Sequence, residues 1–143
     1  MTVKAILSRK GSDVATIAPT ANLAEAVKLL AERRIGAIVI TGPEDRVAGI
    51  LSERDIVRML AERGPAALDD NVAAVMTRKV TTCTEADTVA FIMERMTEGK
   101  FRHLPVVEQG KLVGVISIGD VVKFRVEEIE RETDALREYI ATA

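Results

Sequence analysis

Cysteine occurs once, at Cys83, histidine once, at His103, and tryptophan not at all in a chain of 143 residues. A single cysteine excludes an intramolecular disulfide and any cysteine-rich zinc site. Aromatic residues make up only 3% of the chain, so the core has to be aliphatic and no set of rings is available for stacking single-stranded nucleic acid. Neither sign of charge is in excess: 20 basic against 22 acidic residues leave −2, with no basic block, which excludes a general DNA-binding field. No apolar run approaches the ~18 residues of a membrane span. The first residues show no apolar stretch of the signal-peptide kind, so a cytoplasmic protein is expected. What is present, 48% hydrophobic and 29% charged residues, suits a soluble globular chain of one ordinary domain or two small ones folded together.

The chain is organised around a stretch that it contains twice. Gly49-Ile50-Leu51-Ser52-Glu53-Arg54-Asp55-Ile56-Val57 returns as Gly114-Val115-Ile116-Ser117-Ile118-Gly119-Asp120-Val121-Val122, at an offset of 65 residues. In each copy an apolar run of strand length meets a helical pattern, with Ser at the junction and Asp three residues on. Such a corner presents a hydroxyl, a carboxylate and the free N–H groups of a helix start. Two such corners suggest two related ligand sites.

The surrounding pattern repeats as well. Val3, Ile6 and Leu7 predict a short leading helix, broken at Gly11 and Ser12. Val14 to Ile17 is a short β-prone run. Thr20 or Asn22 can cap a helix with the stripe Leu23, Ala26, Val27 and Leu30. Ile35 to Ile40 and Val47 to Leu51 form a hairpin across the turn Gly42-Pro43-Glu44-Asp45, and the helix from Ser52 stops at Gly64-Pro65. In the second half, Asp70 can cap a short helix bearing Val72, Val75 and Met76, and Val80 to Cys83 matches Val14 to Ile17. Val89, Ile92, Met93 and Met96 repeat the helical stripe, and Phe101 to Val107 is matched to Arg34 to Ile40 at an offset of 67. The second hairpin turn, Glu108-Gln109-Gly110-Lys111, is taken as two residues shorter. Each half is therefore strand–helix–strand–strand–helix with a leading helix, an α+β fold of two β-α-β-β-α repeats. The divisions are 1–66, 67–124 and a C-terminal helical extension, 125–143. Units of about 65 residues are marginal alone, so the halves are expected to share one core.

From Asp120 the last helix runs to about Ile140, far beyond its counterpart. Val122, Val126, Ile129, Thr133, Leu136 and Ile140 step by 4, 3, 4, 3 and 4, a heptad seam with one polar position. Either this seam packs back on its own module or it projects and zips against a second copy.

These residues resemble a tandem pair of cystathionine β-synthase (CBS) domains, also called a Bateman module. The features are the two Gly-h-h-Ser-x-x-Asp segments, the start at Val14 to Pro19, and Arg102-His103-Leu104-Pro105-Val106-Val107. The resemblance implies a pseudo-twofold module of two three-stranded sheets with helices, commonly dimerised, and up to two clefts between the repeats that bind adenosyl compounds. AMP, ADP, ATP, S-adenosylmethionine and NAD-type dinucleotides are the ligand types it implies, with AMP or ATP favoured here. Asp55 and Asp120 correspond to the ribose-binding acid, and Ser52 and Ser117 to the hydroxyl on ribose or phosphate. A carboxylate suits a 2′,3′-diol because it can accept two hydrogen bonds. The resemblance sets Ile50, Ser52, Arg54 and Asp55 opposite Val80, Thr81, Phe101, Arg102, His103 and Pro105 in a first cleft. A second would join Val115, Ser117, Gly119 and Asp120 to Ala15, Thr16, Gly36 and Ile38. Arg54, Arg102 and His103 can neutralise a phosphate in the first cleft. Gly119, Gly36 and Ala37 leave the second without that charge, or with room for a bulkier dinucleotide.

Ser-x-x-Asp at a helix start is also a capping box, worth ~0.5–2 kcal/mol without any ligand. The resemblance as a whole implies a non-catalytic regulatory or energy-sensing module. It would act through a homodimer or an unknown effector protein, with no nucleic-acid or membrane partner. A structural oligomeriser that binds nothing, and an enzyme acting on a nucleotide in the same cleft, are the competing readings.

Overall fold

The structure, a computed structural model, describes residues 1–11 and 13–142. The leading helix α1 spans Val3–Lys10 and ends at Gly11, whose φ of +92° suits glycine and whose N–H donates to the Leu7 carbonyl. The predicted break at Ser12 lies outside the described residues. Strand β1, Thr16–Ile17, leads to α2, Leu23–Arg33, where Asn22 rather than Thr20 is the cap, its side chain accepting from the Glu25 N–H. Strands β2, Ala37–Thr41, and β3, Val47–Ser52, follow, then α3, Glu53–Arg63. A 3₁₀ stretch, Gly64–Asp69, leads into the short α4, Val72–Val75. Asn71, not Asp70, stands at its N-cap, and Asp70 forms an ion pair with Arg63. The second half continues with α5, Val89–Gly99, β4, His103–Glu108, β5, Lys111–Ser117, and α6, Ile118–Thr142.

Strands β1, β2 and β3 form one sheet in that order, β1 parallel and β3 antiparallel to β2. Strands β4 and β5 form an antiparallel pair. The expected strand Val80 to Cys83 is reduced to one residue: the Cys83 N–H donates to the Pro105 carbonyl at 3.0 Å, and the Val107 N–H to the Cys83 carbonyl at 2.9 Å.

The sheet registers correct the repeat alignment. Ala37 stands opposite Ser52, and His103 opposite Ser117. The Gly36 carbonyl accepts from the Glu53 N–H as the Arg102 carbonyl accepts from Ile118. Ala37 is therefore the counterpart of His103, and Gly36 of Arg102, an offset of 66 rather than 67. Aliphatic runs align equally well at either offset; only the ladder distinguishes them, and a one-residue slip exchanges the two faces of a strand.

The expected single core is also corrected. Buried apolar side chains form two clusters, and each takes part of its material from the other half. Val3, Ile6 and Leu7 of α1 pack with Ile92, Met96, Leu104, Val106, Ile116 and Phe124 of the second half. Ala67 and Val72 pack with Leu23, Leu30, Ile38, Ile40, Leu51 and Ile56 of the first. Backbone pairs repeat the exchange: Thr2 bridges Thr88 at the start of α5, and Asn71 bridges Asn22 at the start of α2. Gly114 meets Leu7 and Gly49 meets Met76, so each leading segment lies on a glycine of the other half's last strand. Beyond Phe124, α6 has no buried residue; Val126, Ile129, Leu136 and Ile140 are 48%, 48%, 59% and 65% exposed. The seam does not pack back on its own module. No helix among the described residues is long and apolar enough to cross a membrane.

The two glycine contacts differ in what can yield. A Cβ at Gly49 would stand 2.9 Å from the Thr77 carbonyl, which is backbone, whereas the atoms nearest to one at Gly114 belong to the Leu7 side chain, with Cδ2 at 2.7 Å. Gly49→Ala is expected to destabilise by about 1–3 kcal/mol and Gly114→Ala by less, which urea denaturation of both variants checks.

Candidate functional site

The first corner closes on itself as a capping box. Asp55 Oδ2 accepts from the Ser52 N–H at 2.9 Å and from Ser52 Oγ at 3.0 Å, and the Asp55 N–H points back to Ser52 Oγ at 3.4 Å. Oδ1 is left with Arg58 Nη1 at 3.7 Å, beyond hydrogen-bond length. The corner thus stabilises its helix and still holds out one carboxylate oxygen.

Asp55 borders a cavity of about 460 Å³ lined from both halves, within the range of small-molecule sites. The first half contributes Gly36, Ala37, Ile50, Ser52, Glu53, Arg54, Asp55 and Arg58. The second contributes Thr77, Lys79, Val80, Thr81, Lys100, Phe101, Arg102 and His103. Mutual hydrogen bonds between Ile50 and Thr77, at 2.9 and 3.0 Å, tie the two walls together. Arg54, Lys79, Lys100 and Arg102 form no ion pair among the described residues. Burial lowers the His103 pKa; the Lys10 and Arg102 charges add to this while Glu53 and Asp120 oppose it. Burial thus favours the neutral ring, a hydrogen-bond donor, over the cation expected from the sequence.

The second corner has the same box and a different fate. Asp120 Oδ2 accepts from the Ser117 N–H at 2.9 Å, and the Asp120 N–H donates to Ser117 Oγ at 3.1 Å. Here the Lys10 ammonium, carried in by α1, donates to Asp120 Oδ2 at 2.5 Å and to the Val115 carbonyl at 2.8 Å. Arg9 pairs with Glu127 and lies over the Phe124 ring. Only about 130 Å³ is left beside Asp120, bounded by α1 and α6. Burial pushes the Asp120 carboxyl up, but the Lys10 and Ser117 hydrogen bonds and the Lys10 charge outweigh it and hold the pKa below its ordinary value.

Of the first-cleft residues, Ile50, Ser52, Arg54, Asp55, Val80, Thr81, Phe101, Arg102 and His103 lie together around one cavity. Pro105 is not on it; its carbonyl carries the bond from Cys83. Of the second-cleft residues, Asp120 lines the small cavity with Ile6, Arg9, Lys10, Lys123, Phe124 and Glu127. Ile38 is fully buried in the first core, and Gly36 lines the first cavity, where a Cβ would stand 3.3 Å from the His103 ring. Cys83 is buried too, its thiol pushed up to about 12 chiefly by burial, which makes it a strand residue and no nucleophile. No group of three metal-ligating side chains is found among the described residues.

The CBS domain family profile matches residues 3–62 and 72–127. The chain belongs to the CBS domain family. A mitochondrial CBS domain-containing protein of Arabidopsis thaliana is 35% identical over 120 residues, covering 81% of this chain and 58% of that protein. An uncharacterised 17.7 kDa protein of Acidianus ambivalens is 35% identical over 123 residues, 82% of this chain and 73% of that one. The CBS pair thus spans little more than half of the Arabidopsis relative. Among solved structures, a CBS-domain containing protein from Agrobacterium tumefaciens superposes with a TM-score of 0.83 at 47% identity, covering 87% of this chain and 92% of that one. A CBS domain protein from Pyrobaculum aerophilum complexed with AMP superposes with a TM-score of 0.75 at 31% identity, covering 84% and 89%.

Sequence reasoning missed Lys79, Lys100, Arg58, Glu53, Thr77 and Ala37 on the cavity. For Lys79 a signal existed: Leu7-Ser8-Arg9-Lys10 returns as Met76-Thr77-Arg78-Lys79, at an offset of 69. The two lysines of this CBS pair are counterparts, one bound to a carboxylate and one facing open space.

Because the Asp120 pKa is depressed, its contribution to stability is present above the unfolded value of 3.8 and is lost as pH falls through the lower folded value. Lys10→Met is expected to cost about 1 kcal/mol at pH 7. The difference from the parent chain should close as pH falls below 3.8. Urea denaturation at pH 7 and at acid pH measures both; a gap independent of pH would contradict the assignment.

Proposed function

We propose that this CBS pair is a non-catalytic regulatory module that binds one adenine nucleotide, AMP or ATP, at the Asp55 corner. The observation that carries the reading is the cavity between the repeats, lined by Asp55 together with Arg54, Lys79, Lys100 and Arg102, which have no ion-pair partner among the described residues. The Asp55 Oδ1 suits a ribose hydroxyl, Arg54, Lys79 and Arg102 suit phosphate oxygens, and Ile50, Val80 and Phe101 offer an apolar wall for the base. The AMP complex of the Pyrobaculum relative supports an adenosyl ligand. At the Asp120 corner the Lys10 ammonium already satisfies the carboxylate, which supports a single occupied site per chain. In this reading the repeats, 1–66 and 67–124, are the bodies whose relative setting the ligand biases, and a second copy or an effector protein reads the change.

Calorimetry with AMP, ATP, NADH and S-adenosylmethionine tests the proposal. AMP or ATP should bind saturably, one per chain, without turnover. Asp55→Ala and a 2′,3′-dideoxy nucleotide should each weaken binding about 10–100-fold, near 1.4–2.8 kcal/mol, while Asp120→Ala leaves it unchanged. Silence towards all four ligands, or undiminished affinity in Asp55→Ala, would overturn the assignment.

A further inference from the structure

We infer that the projecting part of α6 pairs with α6 of a second copy of this chain as a parallel, in-register coiled coil. This specifies the homodimer contact of the preceding reading and does not depend on the nucleotide. Three observations carry it.

The first is exposure. Past Phe124 the helix continues to Thr142 with no buried residue, yet Val126, Ile129, Leu136 and Ile140 keep an apolar stripe in the open. A lone helical stretch of this length is marginal in water, and an apolar stripe on it asks for a partner. The second is orientation. Residues two apart on an α-helix stand about 200° from each other, so Val126 faces away from Phe124, which packs into the second core. The stripe is therefore on the side opposite the module, and a second helix can approach it along its length. Arg9, bound to Glu127 and stacked on Phe124, fixes the root of the helix in that orientation.

The third is charge, and it selects the direction. With Val126, Thr133 and Ile140 at heptad position a and Val122, Ile129 and Leu136 at d, the flanking g residues are Arg125, Glu132 and the uncharged Tyr139. The flanking e residues are Lys123, Glu130 and Arg137. In a parallel pair each g residue meets the e residue five positions on in the other helix. Arg125 then meets Glu130 of the second copy, and Glu132 meets Arg137, opposite charges in every case; Arg125 turns to this partner from its present bond to Glu128. An antiparallel pair about the middle of the seam sets Glu130 against Glu130, Glu132 against Glu132 and Lys123 against Arg137, all like charges. Attraction in one direction and repulsion in the other give the helix a preferred partner orientation.

Sedimentation of the full chain should show a dimer. Ile129→Glu with Leu136→Glu should weaken it at least 100-fold while the thermal unfolding of the module and its AMP titration stay as they were. Glu132→Arg should weaken the dimer about tenfold, and adding Arg137→Glu should restore it. Leu136→Cys should cross-link to itself on oxidation, since the native Cys83 is buried. A monomer at all concentrations, a dimer untouched by the two Glu substitutions, or cross-linking only between Val126→Cys and Leu136→Cys chains would overturn the inference. Loss of AMP binding with the dimer intact would instead count against the nucleotide reading alone.

Discussion

The exchange of leading segments between the two repeats is the constraint on which the rest of the structure depends. A unit of this size buries too little apolar surface to be secure by itself. Here each unit completes its core with the other's leading segment: Val3, Ile6 and Leu7 in one direction, Ala67 and Val72 in the other. The glycines at 49 and 114 make this possible, because a side chain there would occupy the place of Met76 or Leu7. Two small cores are thereby locked into one body, and the space between them becomes a cleft with walls from both. A ligand there touches both repeats at once.

Near-duplicate sequences do not produce equivalent sites. The second leading segment stops being helical after Val75, and Thr77 runs extended against Ile50, leaving Lys79 beside an open cavity. The first stays helical through Lys10, and the extra turn brings the ammonium to the Asp120 carboxylate and the Val115 carbonyl. Arg54 and Arg102, which line the Asp55 cavity, have Gly119 and Gly36 as their counterparts in the other repeat. One corner is left open and cationic, and the other is closed by the chain's own charge.

The repeated Ser and Asp serve stability and the candidate site together. Each box satisfies helix-start N–H groups that would otherwise need water. Ser52 engages only Oδ2, so the cap leaves Oδ1 of Asp55 without a hydrogen bond from it. At Asp120 the same oxygen that caps also holds Lys10.

Local pattern and duplication were enough, before any coordinates, to establish the repeats, both Ser–Asp corners, the helix start at Ser52 and the long final helix with its heptad seam. These features depend on residues close in the chain or on a motif written twice. The choice of Asn22 over Thr20 as cap and the exposure of the seam came from the structure. The offset in the Ile35 to Ile40 run, the division into two interlocked cores, the single-residue contribution of Cys83 and the entry of Lys79 into the cavity were decided by tertiary structure. So was the capture of Asp120 by Lys10, a contact between residues 110 apart in the chain. Such pairings depend on where a helix ends and which strand rung closes, and these are set by packing across the whole chain rather than by the residues that meet.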